Sequence, residues 1–229
     1  MQIPLYEHPV WVDQQVMRPG GLAVTEEALS FCGLQRGARI LDVGCGAGAT
    51  LGFMTSKYGL AGFGVDISAA LLGKAQQGSK AGFAQAKSEQ LPFENESLDA
   101  VISECTLSIF ETDTALREYR RILKPGGFLV ASDLYARNEN GLAALRELPA
   151  GSCVGAAMSQ AEIESKLAGC GLQIFIWQDC SEKLKGFPVC NLSTAANMDP
   201  FDVVIAAGKA KLGYYYAVAR KQGLPPSDR

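Results

Sequence analysis

The stretch Ile40-Leu41-Asp42-Val43-Gly44-Cys45-Gly46-Ala47-Gly48-Ala49-Thr50 joins an apolar strand to a helix through a turn almost free of side chains. Glycines tolerate positive φ and let backbone amides come close to a ligand, and the helix that follows offers unpaired N–H groups at its start. Such a turn cradles a nucleotide-like ligand. Asp66, in Gly62-Phe63-Gly64-Val65-Asp66, stands about where a ribose-binding carboxylate belongs in a βαβ unit. The glycine spacing alone does not choose the ligand, because Gly44, Gly46 and Ala49 also satisfy the dinucleotide fingerprint that ends in Gly or Ala.

Outward from the turn, apolar runs at 39–43, 62–65, 82–86, 100–103 and 128–132 have the length of buried parallel strands. Between them, 51–58, 68–80 and 112–123 carry helical spacing, with Pro125-Gly126-Gly127 as the stop of the last. Residues 25–32 are expected to form a short helix ahead of the first strand, with Thr25 as N-cap, Glu26 and Glu27 in the first turn and Gly33 as the stop. Further on, Ser159-Gln160-Ala161-Glu162 reads as a capping box opening a helix with Ile163 and Leu167 on one face. A strand is expected at 172–177. Alternation of this kind predicts a doubly wound α/β sheet.

The 229 residues fit one domain with a full core, 1–229. A net charge of −3 and a pI near 5.3 supply no basic field, so no nucleic-acid partner is expected. No run of ~18 apolar residues is present, and Met1-Gln2-Ile3-Pro4-Leu5-Tyr6-Glu7 lacks the basic and apolar regions of a signal peptide. The expectation is a soluble cytoplasmic protein with no membrane partner. Seven cysteines, an odd number without a CxxC pair or a Cys/His zinc pattern, predict free thiols and no metal site. Cys32 and Cys170 are expected to act as small buried hydrophobes.

Three further segments follow the glycine turn: Ser88-Glu89-Gln90-Leu91-Pro92-Phe93, Leu98-Asp99-Ala100-Val101-Ile102-Ser103, and Arg121-Ile122-Leu123-Lys124-Pro125-Gly126-Gly127-Phe128-Leu129-Val130. In this order the set resembles the class I S-adenosylmethionine (SAM)-dependent methyltransferases, of the methyltransferase type 11 kind, over roughly residues 20–180. The resemblance implies a Rossmann-like, doubly wound, mostly parallel seven-stranded sheet. Its antiparallel last strand would lie at 212–221, in Leu212-Gly213-Tyr214-Tyr215-Tyr216-Ala217-Val218-Ala219-Arg220, with a helical insertion before it. On that plan 1–37 is an N-terminal cap segment, 38–180 the core, and 181–211 inserted helices, a lid or a surface for a protein partner or homodimer.

The resemblance also implies SAM as cofactor and distributes roles. Asp42 would hold the ammonium end, directly or through water, with Gly44, Cys45 and Gly46 against the methionine portion. Asp66 would accept from both ribose hydroxyls, the alternative being a helix N-cap, and Ile67 would lie on the adenine face. Where the family often reads Gly-Asp-Ala-Glu, this chain has Ala86, Lys87, Ser88 and Glu89. Lys87 cannot accept a bond from the adenine amine, so backbone groups of Lys87 and Ser88 would take that part. Ser103 ends the fourth strand on the cofactor side, and Glu104-Cys105-Thr106 follow at the carboxyl edge, where acceptor chemistry is expected. Glu104 is either a base or a holder of the SAM amino group. His8, the single histidine, is a second candidate base or a surface residue, and Arg18 either folds over the cofactor or stands solvated in a turn.

A narrower resemblance, to arsenite methyltransferases, rests on Cys105 in Ile102-Ser103-Glu104-Cys105-Thr106 and Cys153 in Ser152-Cys153-Val154-Gly155-Ala156. Thiolates are soft ligands and suit a soft acceptor atom; the plainer reading is two small residues lining a pocket. The expected function is methyl transfer to a small-molecule acceptor, with a metalloid or thiol among the candidates. The rivals are a non-catalytic SAM-binding subunit of a complex and an NAD-dependent oxidoreductase.

Overall fold

A computed structural model describes residues 18–149, 152–185, 187 and 198–223. The elements run α1 (Gly21–Ser30), β1 (Arg39–Val43), α2 (Ala49–Tyr58), β2 (Ala61–Asp66), α3 (Ala69–Gly78), β3 (Gly82–Gln85), β4 (Leu98–Glu104) and α4 (Thr112–Ile122). They continue with β5 (Leu123–Ala136), α5 (Leu142–Arg146), β6 (Met158–Ser159), α6 (Gln160–Gly169), β7 (Leu172–Asp179), α7 (Pro200–Ala210) and β8 (Leu212–Lys221).

Seven strands form one sheet in the order β3-β2-β1-β4-β5-β8-β7, and the short β6 pairs with the end of β5. β8 runs antiparallel to both its neighbours, and the strands from β3 to β5 are parallel. The chain leaves β1 toward β2 on one side and later returns to β4 on the other, so the sheet opens a crevice above the carboxyl ends of β1 and β4. β1 is covered on both faces. Ile40 packs with Val24, Leu51, Met54 and Ile102, while Leu41 and Val43 pack with Val101, Leu116 and Tyr119. That double burial is why its sequence reads as an apolar run rather than an alternation. By the same alternation Asp42 shares the face of Ile40, and Glu104 the face of Ile102.

Two elements depart most from the sequence reading. The first helix begins at Gly21, with Gly20 as its N-cap at φ 75°, and Thr25 is buried inside it rather than capping it. Thr25 looks like a cap because Glu26 and Glu27 follow it, but its hydroxyl is used by Arg18 and Glu104. The fifth strand extends well beyond 128–132 in both directions. At its start Pro125 keeps Lys124 out of the helical region, so α4 already ends at Ile122. At its far end β8 continues the pairing out to Ala136 opposite Leu212.

Local signals account for the helices flanking the last two strands. Ser159 caps α6 and Glu162 closes the box back onto the Ser159 N–H, as the spacing predicts. The insertion before β8 contains α7, started by the Asp199 side chain, which accepts the Phe201 N–H at 2.8 Å, and by Pro200 in the first turn. Among the described residues no helix is long and apolar enough to cross a membrane.

Candidate active site

The glycine turn is held open by geometry that other residues would not tolerate. Gly44 sits at φ 77°, and a Cβ there would fall 2.5 Å from the Thr106 methyl. Gly46, at φ 52°, has nothing within 4 Å on that side, so the turn faces open space where a ligand can lie against backbone. The Gly44 and Cys45 N–H groups both donate to the Val65 carbonyl, at 2.8 and 3.0 Å, which clamps the turn onto β2. Asp66 completes the clamp. One of its oxygens accepts the Gly46 N–H and the other the Ser68 N–H, each at 2.9 Å. The N-cap of α3 is Ser68. Each carboxylate oxygen of Asp66 therefore keeps acceptor capacity for a further donor.

Behind the turn lies a buried charge cluster. Asp42, Asp66 and Glu104 are all buried at the carboxyl ends of β1, β2 and β4. Glu104 is fully engaged: it accepts the Thr25 hydroxyl at 2.5 Å and the Thr50 hydroxyl at 3.1 Å, and pairs with Arg18 at 3.0 Å. Arg18 is itself buried, its guanidinium also reaching Thr25 at 2.6 Å and Thr50 at 3.0 Å, while its Nε has no partner. Arg18 thus ties α1, the start of α2 and the end of β4 together instead of standing in solvent. Burial, reinforced by Glu104 and Asp66 and opposed by Arg18, pushes the Asp42 carboxyl up to about 8.

On the adenine side Ile67 is 42% exposed just beyond β2, an uncovered apolar face. Lys87 is exposed, whereas Ser88 is buried with its hydroxyl unpartnered. Glu89 is tied to the start of α4 through the Glu111 N–H at 3.1 Å. Ser103 turns inward: its hydroxyl lies 3.0 Å from that of Thr106, which donates to the Val43 carbonyl at 3.1 Å. The Ser103 side chain therefore braces the turn from below.

The carboxyl ends of β4 and β5 and the amino end of the antiparallel β8 carry a second polar cluster. Cys105 leaves β4 at φ 54°, an unusual conformation for a residue with a side chain, and its thiol lies 3.8 Å from the Tyr214 hydroxyl. Tyr214 donates to Ser132 at 2.9 Å, and the Cys105 N–H to the Ser132 carbonyl at 2.7 Å. Burial, then Asp133 and Cys153, raise the Cys105 thiol well above its usual range; burial and Asp133 push Cys153 up to about 12. Cys105 and Cys153 pack against the core on the Ile102 and Tyr214 face of the sheet, whereas Asp133 stands on the face of Tyr135 and Tyr215. Asp133 is buried, its carboxyl pushed up to about 6 by burial against the bonds from the Ser108 N–H at 3.0 Å and the Leu134 N–H at 2.8 Å. Sequence reasoning missed it, although an acid closing an apolar parallel strand is the signal that singled out Asp42. His8 lies outside the described residues. Among those described, no group of three or more His, Cys, Asp or Glu is placed to hold a metal ion.

Residues 41–131 match the family model described as a methyltransferase domain. The chain spans about half the length of several curated relatives it matches, among them the uncharacterized methyltransferase YodH of Bacillus subtilis, 37% identical over 120 residues, 49% of this chain and 50% of that protein. With O-methyltransferase resE of Aspergillus sclerotiorum the similarity is 26% over 235 residues, 92% of this chain and 87% of that protein. Among solved structures, Haemonchus contortus phosphoethanolamine N-methyltransferase 2 in complex with SAM shares the fold at a TM-score of 0.69 and 20% identity, over 96% of this chain and 56% of that one.

Residues 41–131 thus resemble a methyltransferase domain, and the fold is one that a SAM-bound methyltransferase shares. The residues present fit SAM. Asp42, Asp66 and Glu104 are buried together with one guanidinium paired to Glu104, so ionisation of Asp42 favours a cationic ligand, and SAM carries both an ammonium and a sulfonium. The unpartnered Arg18 Nε and Ser88 hydroxyl are further polar groups waiting for a ligand.

Proposed function

We propose that this protein transfers the methyl group of SAM to a small-molecule acceptor. The observation that carries the reading is the cluster of buried acids behind the glycine turn, where Glu104 pairs with Arg18 and Asp42 feels the charge of both Glu104 and Asp66. Asp42 would hold the ammonium end, Gly44, Cys45 and Gly46 would lie along the methionine portion, and Asp66 would take the ribose hydroxyls. Ile67 would cover the adenine, with Lys87, Ser88 and Glu89 at its edge. Bound SAM supplies an electrophilic methyl on a positive sulfur. The protein's part is to fix the two reactants in line and to exclude water, for which the buried crevice end of β4 is suited. Glu104, with Arg18, Thr25 and Thr50 occupying its oxygens, acts as the anchor of this network rather than as a base.

The acceptor would enter over Glu104, Cys105 and Cys153. Similarity to an O-methyltransferase along most of the chain supports an oxygen acceptor. The packing of Cys105 and Cys153 against the same core face favours a second reading, a thiophilic acceptor such as a metalloid or thiol, which requires these raised thiols to give up protons on binding. In the insertion, Phe201 and Val204 are 70% and 64% exposed on α7, where a protein partner or second copy would dock.

The test is release of S-adenosylhomocysteine by the purified protein across phenols, alcohols, amines, small thiols and arsenite. Turnover of at least one acceptor is expected. SAM binding without any turnover would favour a non-catalytic subunit, and NAD binding without SAM would sink the reading.

A further inference from the structure

Asp133 and Tyr215 are directly paired across β5 and β8, on the same face of the sheet. Neither is needed to hold SAM. Tyr215 is fully buried, yet its hydroxyl has no hydrogen-bond partner, which is rare for a buried polar group. The ring cannot easily swing away to find one. Trp177 stacks on it at 4.3 Å with an interplanar angle of 5°, and Tyr135 meets its edge at 5.6 Å. Asp133 is 1% exposed and accepts one backbone N–H on each oxygen, so it retains capacity for another donor. Its strand position is the one after Ser132, which pairs with Glu104, so it stands at the carboxyl edge beside Cys105.

We propose that Asp133 and Tyr215 form the acceptor subsite and that this subsite takes a hydroxyl group. The Asp133 carboxylate accepts the hydroxyl's O–H, and the Tyr215 O–H donates to the same oxygen. A thioether or a methyl ether lacks the O–H to satisfy both. The inference rests on the methyltransferase reading and names the acceptor class for that site. In the reaction the acceptor proton passes to Asp133 as an oxygen lone pair forms the new C–O bond. The broken C–S bond leaves its electron pair on sulfur, and Asp133 later returns the proton to solvent. Asp133 is then a catalytic residue, with its carboxyl raised toward neutrality by burial, which suits a general base. The groups around it are the Ser108 N–H and hydroxyl, the Leu134 N–H and the paired Tyr215, while the Cys105 and Cys153 thiols act on it only through charge.

The experiment compares the full chain with Asp133→Asn and Tyr215→Phe. Simple phenols and alcohols, each beside its own methyl ether, are titrated calorimetrically in the presence of S-adenosylhomocysteine, and turnover is followed from low to high pH. At least one hydroxyl compound should bind and be methylated, and its ether should bind at least tenfold more weakly. Asp133→Asn should lower kcat about a hundredfold or more and abolish the fall in rate on the acid side, near pH 6. Tyr215→Phe should weaken acceptor binding about tenfold, on the scale of one buried hydrogen bond. SAM affinity should be unchanged in both. Because Tyr215→Phe preserves the ring packing, it reports even where Asp133→Asn fails to fold. The inference is overturned if the variants keep the wild-type rate, pH profile and acceptor affinity, if both lose SAM affinity, or if only thiols or arsenite are methylated. SAM binding with no hydroxyl compound bound also overturns it while leaving the methyltransferase reading intact; loss of SAM binding in the wild type overturns both.

Discussion

Two buried acids of the donor half, Glu104 and Asp66, are held in the opposite way to Asp133 on the acceptor half, and Asp42 is raised by burial like Asp133. On the donor half, Glu104 is matched by a guanidinium and two hydroxyls, and Asp66 by two backbone amides, so the acids shape a rigid negative wall. On the acceptor half, Asp133 has two amides but no cation, and it is paired across the strands with a tyrosine whose hydroxyl is unpartnered. A matched acid is built for binding charge. An acid raised by burial without a cation is built for exchanging a proton.

The sharpest way to break this contrast is to remove the matched acid. Glu104→Ala removes the ion-pair partner of Arg18, leaving only the Asp42 carboxyl and two hydroxyls near it, and stability is expected to fall by about 3 kcal/mol, measured by urea denaturation. A loss below about 1 kcal/mol would mean that the pair behaves as a surface ion pair and that the donor wall is not rigid.

The next effect is on cofactor affinity. Asp66→Ala should weaken SAM binding by about 1.5–3 kcal/mol, a charge-assisted hydrogen bond to ribose, with the Gly46 amide also released from its clamp. Calorimetry checks this directly, and an unchanged affinity would remove Asp66 from the ribose.

A third consequence concerns pH. The folded Asp42 carboxyl lies near 8, above its unfolded value, so its protonated form favours the fold. The stabilisation is complete in acid, below the ordinary carboxylate range, and is lost as pH rises toward about 8. Cation binding works against it, because only the ionised carboxylate attracts the SAM ammonium. SAM affinity should therefore climb by up to about tenfold per pH unit below about 8, and Asp42→Asn should flatten the curve.

The smallest effect serves as the control. Ser159→Ala removes the capping box of α6, away from the glycine turn, and should cost about 1 kcal/mol of stability in thermal unfolding while leaving SAM affinity unchanged.

The donor half was legible in the sequence because its determinants are local. β1 spans Arg39–Val43, the residues its apolar run marks; the glycine turn follows without a gap; and Asp66 closes β2. Positive φ at Gly44 and Gly46 is a backbone requirement that the residue type itself announces. The acceptor half depends on contacts between distant segments. Asp133 escaped because the apolar run stops at Ser132, and only the antiparallel partner β8 shows that the strand continues and sets Tyr215 opposite it. Thr25 misled for the reverse reason: its local context is that of a cap, and a long-range bond to Glu104 draws it into the interior. Arg18 was ambiguous until Glu104, from the far side of the sheet's switch point, supplied its partner.

Calorimetric titration of the wild-type chain with SAM, at one pH below and one above the Asp42 value and in two buffers of different ionisation enthalpy, tests the cation-seeking donor pocket most directly. The expected result is tighter binding at the higher pH, and at the lower pH release of about one proton on binding. Binding that is independent of pH, without proton release, or absent while NAD binds, would contradict it.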